Sequence, residues 1–152
     1  MVRIELQLEI ARPPEEVFRA LTDLERLPEW QASAVESRSD GPLSEGSRVH
    51  ERRKLMGREI ESELEVTACE PGRRLTLRAL DGPVRFTVDH ELSEDSGSTS
   101  LRVVAVGKPT GALRFAGPMV KRQAEHELRG DFQRLKEQLE AGGYPSESAP
   151  ID

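Results

Sequence analysis

The stretch "PMVKRQAEHELRGDFQRLKEQLEA", residues 118–141, decides the fold because its pattern predicts one long amphipathic helix. Pro118 suits the first turn of a helix, and no later residue except Gly130 disfavours helix. The apolar side chains recur at intervals of three and four residues, at Val120, Ala124, Leu128, Phe132, Leu135 and Leu139. A helix of this length spans about 36 Å. Its narrow apolar stripe is predicted to lie across one face of a sheet.

The rest of the chain supplies that sheet. Residues 2–10 alternate apolar and polar side chains without a fault, which predicts a first strand. The alternation returns from residue 35 to 106, interrupted by turn sequences at hairpin spacing. Between these regions, 14–23 and 24–30 predict two short helices. The predicted fold class is therefore α+β, with an antiparallel sheet of about seven strands, two short helices after the first strand and one long C-terminal helix.

Turn lengths predict how the strands pair. A two-residue turn at 56–57 places Lys54 opposite Glu59, and a four-residue loop at 95–98 places Glu91 opposite Arg102. The acidic run "EIESELE", residues 59–65, is therefore predicted to be the solvent-facing side of a strand whose neighbour carries basic side chains.

Two hairpins in the middle of the sheet are predicted in the same way. A four-residue loop at 69–72 places Glu63 opposite Arg78. A two-residue turn at 81–82 then places Leu77 opposite Phe86 and Arg78 opposite Arg85. The second contact joins like charges, which makes this hairpin the least favourable of the set.

Composition limits the classes of function. The 152 residues fit one domain, predicted at 1–141, and the polar tail at 142–152 is predicted to be disordered. The net charge of −6 disfavours a nucleic-acid partner, which needs clustered Lys and Arg. No apolar run approaches the roughly 20 residues of a membrane span, and the N-terminus lacks a signal-peptide pattern. We expect no stable membrane insertion and a cytoplasmic location.

Motifs for several enzyme chemistries are absent from the sequence. It has no glycine-rich phosphate loop, no GxSxG segment, and no cluster of His, Cys and Asp at metal-ligand spacing. The single cysteine, Cys69, cannot form an internal disulfide and is predicted to be a packed or half-buried thiol. We therefore expect no metal and no cofactor.

Strand parity places four polar side chains on the inner, apolar face of the sheet: Glu51, Arg53, Ser62 and His90. Burial of a polar group without a hydrogen-bonding partner costs free energy, so each of these residues should have either a partner or a function. Glu51 and Arg53 lie two residues apart on one strand, and they either form an ion pair near the sheet rim or serve a pocket. An acid–base pair of Glu51 with His90 is disfavoured, because six residues of strand separate their rows by about 20 Å.

The other candidates lie on the helices. Trp30, the only tryptophan, follows Pro28 and is predicted to be an apolar anchor for its short helix, with a lid contact to a ligand as the alternative. On the long helix, Gln123 and Glu127 flank the apolar stripe, where their side chains could reach a cavity. Solvent exposure is the simpler expectation for both.

Four segments together resemble the START-like or SRPBCC superfamily. They are "IARPPEEVFRALTDLERLPEW" (10–30), "EVTACEPGRRLTLRA" (65–79), "SGSTSLRV" (96–103) and "LRGDFQRLKEQLEAG" (128–142). The resemblance covers about residues 2–141 and implies a helix-grip fold, in which a curved antiparallel sheet surrounds a long C-terminal helix and a hydrophobic cavity. It is specific for the fold and weak for function, since the superfamily includes polyketide cyclases and aromatases, lipid carriers and chaperone activators.

The resemblance and the inner-face pattern together predict a small-molecule site between the helix and the sheet. The main hypothesis is binding of a small hydrophobic ligand such as a lipid, polyketide or isoprenoid-like molecule. The alternatives are an enzyme of the polyketide cyclase or dehydrase type, and a ligand-free module with a protein partner. The candidate ligand contacts are Trp30, Glu51, Arg53, Leu64, Leu77, Phe86, Val88, His90, Val120, Gln123 and Ala124.

Overall fold

The computed structural model describes residues 1–55, 57–82, 84–111 and 117–142. The strands are β1 (Val2–Ile10), β2 (Ala34–Ser39), β3 (Arg48–Leu55), β4 (Arg58–Glu70), β5 (Arg74–Ala79), β6 (Val84–Asp95) and β7 (Ser98–Pro109). The helices are α1 (Pro14–Thr22), a 3₁₀ helix (Leu24–Glu29) and α2 (Gly117–Glu140). Nearly all of the tail predicted to be disordered, residues 143–152, lies outside the described residues.

The seven strands form one curved antiparallel sheet in the order β1-β7-β6-β5-β4-β3-β2. The predicted α+β class is confirmed, including the two short helices and the long C-terminal helix. Pro14 occupies the first turn of α1, where a missing N–H costs nothing, and Glu15 and Glu16 follow it beside the positive end of the helix dipole. The alternation predicted the last strand to end at residue 106, but β7 continues to Pro109.

Two of the predicted registers are confirmed. Lys54 pairs with Glu59 across β3 and β4, and Glu91 pairs with Arg102 across β6 and β7. Leu55 pairs with Arg58 and Asp95 pairs with Ser98 beside the two turns, so both registers follow from turn length. The acidic side chains of β4 lie among basic ones as predicted, for example Glu65 against Arg78.

The registers predicted for the two middle hairpins are wrong. Arg78 pairs with Glu65 instead of Glu63, because the turn lies at 71–73 instead of 69–72, which shifts the pairing by three residues, and a bulge between Val66 and Ala68 shifts it back by one. Leu77 pairs with Val88 instead of Phe86, since the last pair across β5 and β6 is Arg78 with Thr87 and not a pair beside a two-residue turn at 81–82.

The correction removes the like-charge contact. Arg78 faces Thr87 on β6, so it does not oppose Arg85. His90 pairs with Leu75 across β5 and β6, and Leu75 pairs with Cys69 on β4. His90 was expected in the row of Ala68 and lies in that of Cys69, but the bulge takes up the extra residue, so six rows still separate it from Glu51 along the sheet.

The C-terminal half of α2 closes the core. Phe132, Leu135 and Leu139 are 4%, 0% and 2% exposed, and the helix packs against β1 and α1. Trp30 ends the 3₁₀ helix, is 1% exposed, and stacks at a tilt on Phe132 with 5.2 Å between ring centroids. The packing of Trp30 therefore fits the predicted role of an apolar anchor. Its contact with Phe132 joins the short helix to α2.

Candidate functional site

The inner face of the sheet is covered unevenly. Val49 and Leu64 are buried, whereas Leu77, Phe86 and Val88, further toward the centre of the sheet, are only half-buried. On α2, the apolar stripe residues that precede Phe132 are half-buried as well: Val120, Ala124 and Leu128. The N-terminal half of α2 and the middle strands therefore present apolar surfaces that close packing has not removed from solvent.

Arg53 and Glu51 form an ion pair on the inner face of β3. The guanidinium donates to both carboxylate oxygens, through Nε at 2.9 Å and Nη2 at 3.2 Å, and the Glu51 side chain is only 5% exposed. Arg53 also donates through Nη1 to the Ser33 hydroxyl at 2.9 Å and through Nη2 to the Gln31 side-chain oxygen. The ion pair foreseen from the spacing is present, and it is bidentate and mostly buried instead of solvated.

The segment 31–33, which follows the 3₁₀ helix, is held from two sides. Arg53 reaches it from β3, and Asp131 of α2 accepts a hydrogen bond from the Ala32 backbone N–H at 3.0 Å. Arg134 donates to the Trp30 carbonyl at 3.1 Å and pairs with Asp131. The sheet, the short helix and α2 therefore meet in one polar cluster where the packed half of α2 ends.

Glu127 lies one helical turn before Asp131 and is half-buried. Burial raises the pKa of the Glu127 carboxyl, and the negative charge of Asp131 raises it further, while the positive charges of Arg53 and His126 partly offset both. The neighbour of Glu127 on the helix, Asp131, bonds to the segment 31–33 that Arg53 also holds. Among the residues that the structure describes, Glu127 has no hydrogen bond or ion pair.

His90 belongs to the core. It is 6% exposed, its Nδ1 lies 2.9 Å from the Leu75 carbonyl oxygen, and its ring centroid is 5.9 Å from that of Phe132. Burial lowers the pKa of the imidazole, and the hydrogen bond to Leu75 offsets only part of this, so the ring is neutral at pH 7. His90 is therefore a core residue with a local hydrogen bond, as is common for a single histidine among apolar neighbours.

Two buried polar atoms near the cluster have no partner among the described residues. They are the indole Nε1 of Trp30 and the hydroxyl of Ser37, a residue that is 4% exposed and pairs with Glu51 across β2 and β3. Unsatisfied buried donors and acceptors are rare in native proteins and call for a water or a ligand atom.

The structure brings together part of the predicted set. Glu51 and Arg53 meet at the polar cluster, and apolar members from both walls face the same region. His90 and Leu64 lie in the packed core. Gln123 is exposed to solvent, which was the simpler expectation for it. Their roles in binding stay predictions.

Sequence reasoning missed Gln31, Ser33 and Asp131. The signal for Asp131 was available, because it falls within the apolar stripe of α2, three residues after Leu128 and four before Leu135. An acid at such a position needs a buried partner.

Two open depressions mark the outer strands of the sheet. One, of about 370 Å³, is lined mainly by charged side chains of β2, β3 and β4, and the other, of about 350 Å³, lies between the α1 end and β2. Neither is lined by Leu77, Phe86 or Val88. The predicted cavity under α2 therefore stays a proposal.

Within the described ranges, no His, Cys, Asp and Glu side chains form a group of three placed to hold a metal ion. The thiol of Cys69 is half-buried and donates to the Leu43 carbonyl at 3.6 Å, and burial raises its pKa. Among the helices described, none has the length and apolar character needed to cross a bilayer.

The chain belongs to the polyketide cyclase / dehydrase and lipid transport family, whose profile matches residues 1–140. The fold is that of the SRPBCC or START-like superfamily. No curated protein matches the sequence.

Solved structures share the fold at low identity. A START superfamily protein from Mycobacterium smegmatis is 17% identical, with a TM-score of 0.78 over 91% of this chain and 97% of that one. A protein from Deinococcus radiodurans is 21% identical, with a TM-score of 0.70 over 93% of this chain and 99% of that one. The di-domain ARO/CYC BexL of the BE-7585A biosynthetic pathway is 15% identical, with a TM-score of 0.76 over 95% of this chain and 48% of BexL.

Proposed function

We propose that the protein binds a small hydrophobic molecule, of lipid, polyketide or isoprenoid type, between the inner face of the sheet and the N-terminal half of α2. The observation that carries the proposal is the partial burial of apolar side chains on both walls. Leu77, Phe86 and Val88 on the sheet, and Val120 and Ala124 on the helix, are half-buried at central positions. Proteins usually bury such residues fully, so this surface is available to a ligand.

The distribution of polar groups supports the same site. The ion pair of Arg53 with Glu51 and the carboxyl of Glu127 lie at one end of an otherwise apolar space. A mostly apolar pocket with a few polar groups at fixed positions is the usual form of a small-molecule site. Lipid transport in the family description also favours a hydrophobic ligand.

Displacement of a neutral fluorescent probe tests the proposal. N-phenyl-1-naphthylamine should bind the folded protein saturably and be displaced by long-chain or polycyclic molecules. Ala124→Phe should weaken probe binding by about tenfold or more, because the larger side chain fills the space at the helix wall. Gln133→Phe places the same ring on the exposed face of α2 and should leave saturable binding unchanged.

An enzyme of the polyketide cyclase or dehydrase type is the second candidate. It is favoured by the half-buried Glu127 carboxyl, whose pKa is raised by burial, and by the fold shared with the ARO/CYC BexL. Turnover of a polyketide substrate that is lost in Glu127→Gln with the fold kept would support it. The absence of saturable probe binding, together with a closed core, would leave a protein-interaction module.

A further inference from the structure

The polar end of the proposed cavity, formed by Glu51, Arg53, Glu127 and Asp131, holds an excess of negative charge. Arg53 is paired with Glu51, and Arg134 is paired with Asp131. Glu127 remains, half-buried and without an ion pair or hydrogen bond in the described part of the chain. A partly desolvated carboxylate in this position gains most from a cation or a strong hydrogen-bond donor.

Arg53 is not free to receive an anion. Four of its five N–H donors are already engaged, by the two oxygens of Glu51, the Ser33 hydroxyl and the Gln31 side chain. A ligand carboxylate could accept only from the remaining Nη1–H, because a bidentate contact would displace Glu51 and leave that buried carboxylate unpaired, which is strongly unfavourable. The one arginine on the inner face of β3 therefore does not make this end an anion site.

A second, independent observation points to a missing ligand atom beside the same ion pair. The Ser37 hydroxyl is on the strand next to Glu51, in a residue that is 4% exposed, and it has no partner among the described residues. A hydroxyl of this kind can accept a hydrogen bond from an ammonium N–H. This acceptor lies on β2 beside Glu51, at the depression between the α1 end and β2.

We propose that the hydrophobic ligand carries a protonated amine, which lies at the polar end of the cavity and pairs with Glu127. This inference rests on the proposed function, since it names the chemical class of ligand for the same site. A fatty acid of the same chain length would place its carboxylate against Glu127 and Asp131, where like charges repel in a partly desolvated space. An alcohol would donate one hydrogen bond without a charge. The order of affinity is therefore amine, alcohol, acid.

Three ligands that differ only in the end group test this order. Decylamine, decanol and decanoic acid are titrated against protein loaded with N-phenyl-1-naphthylamine at pH 7.5, below the micellar concentration of each. Decylamine should displace the probe at a concentration about tenfold or more below that of decanoic acid, because only the amine pairs with Glu127. In Glu127→Gln this ratio should fall by about fivefold or more, while Glu137→Gln, an exposed acid on the same helix, should keep it.

The outcomes separate this inference from the proposed function. Saturable probe binding with decanoic acid as good as or better than decylamine overturns the amine proposal and keeps the hydrophobic site. An unchanged ratio in Glu127→Gln does the same, because the preference would then arise elsewhere. If the probe does not bind saturably to the unmodified protein, both proposals fail. The comparison of the three ligands on the unmodified protein does not depend on how well any variant folds.

Discussion

The two halves of α2 differ in how deeply their side chains are buried. In the C-terminal half, Phe132, Leu135 and Leu139 are almost fully buried, and four polar side chains of the same half bond to β1, the 3₁₀ helix and the segment after it. In the N-terminal half, Val120 and Ala124 are half-buried, and Met119 is 71% exposed. One continuous helix therefore serves as a core element at one end and as a less tightly covered wall at the other.

The division has a physical origin in the sequence. The last three turns carry the large apolar residues Phe132, Leu135 and Leu139, whereas the first turns offer Val120 and Ala124, which are too small to fill the distance to the sheet. Arg134 and Gln138 then fix the packed half by bonding to the carbonyls of Trp30 and Glu29. Stability is concentrated in one half of the helix, which leaves the other half free to be shaped for binding.

The largest expected effect lies in the packed half. Phe132→Ala should lower the free energy of unfolding by about 3–5 kcal/mol, since it leaves a cavity against both Trp30 and His90. Denaturant melts measure the loss. Trp30 is the only tryptophan, so a red shift of its emission would report directly on the opened contact. A loss below about 1 kcal/mol would show that this half does not hold the core.

The sequence predicted the architecture because the alternation of β1, the helical period of α2 and the turn signals act locally. The β3–β4 register followed from one tight turn, and strand parity placed Glu51 and Arg53 on the inner face. The β4–β5 register could not be predicted, because the turn signal at 70–72 does not fix which residues close the turn, and the bulge near Thr67 then shifts the pairing by one.

The candidate site was predicted less completely. The ion pair of Glu51 with Arg53 was foreseen from their spacing, but its partners Gln31 and Ser33 come from a segment brought to β3 only by tertiary packing. The partial burial of Phe86 could not be predicted either, since it depends on where α2 lies over the sheet. Which inner-face residues contact a ligand stays a prediction.

Leu128→Ala sharpens the comparison, because Leu128 lies at the boundary between the two halves and is half-buried. Its truncation should cost about 1–2 kcal/mol, less than a fully buried leucine, because part of the side chain is already in contact with solvent. Binding of N-phenyl-1-naphthylamine should persist, since the change enlarges the proposed cavity. A loss of stability equal to that of Phe132→Ala, with probe binding abolished, would mean that the N-terminal half is packed core.

The smallest effect is expected on the outer side of the N-terminal half. His126 is exposed and lies next to Glu127 in the chain, and its only described influence there is a charge that favours the ionised form of the Glu127 carboxyl. His126→Ala should change the free energy of unfolding by less than about 0.5 kcal/mol, because no packed contact is removed. Because the His126 side chain lies in solvent, where charge effects are screened, the affinity for decylamine should change by less than about twofold. Thermal melts and the probe-displacement assay measure both quantities on the same sample. A stability loss as large as that of Leu128→Ala would place His126 on the packed side of α2 and contradict the assignment of the two helix faces.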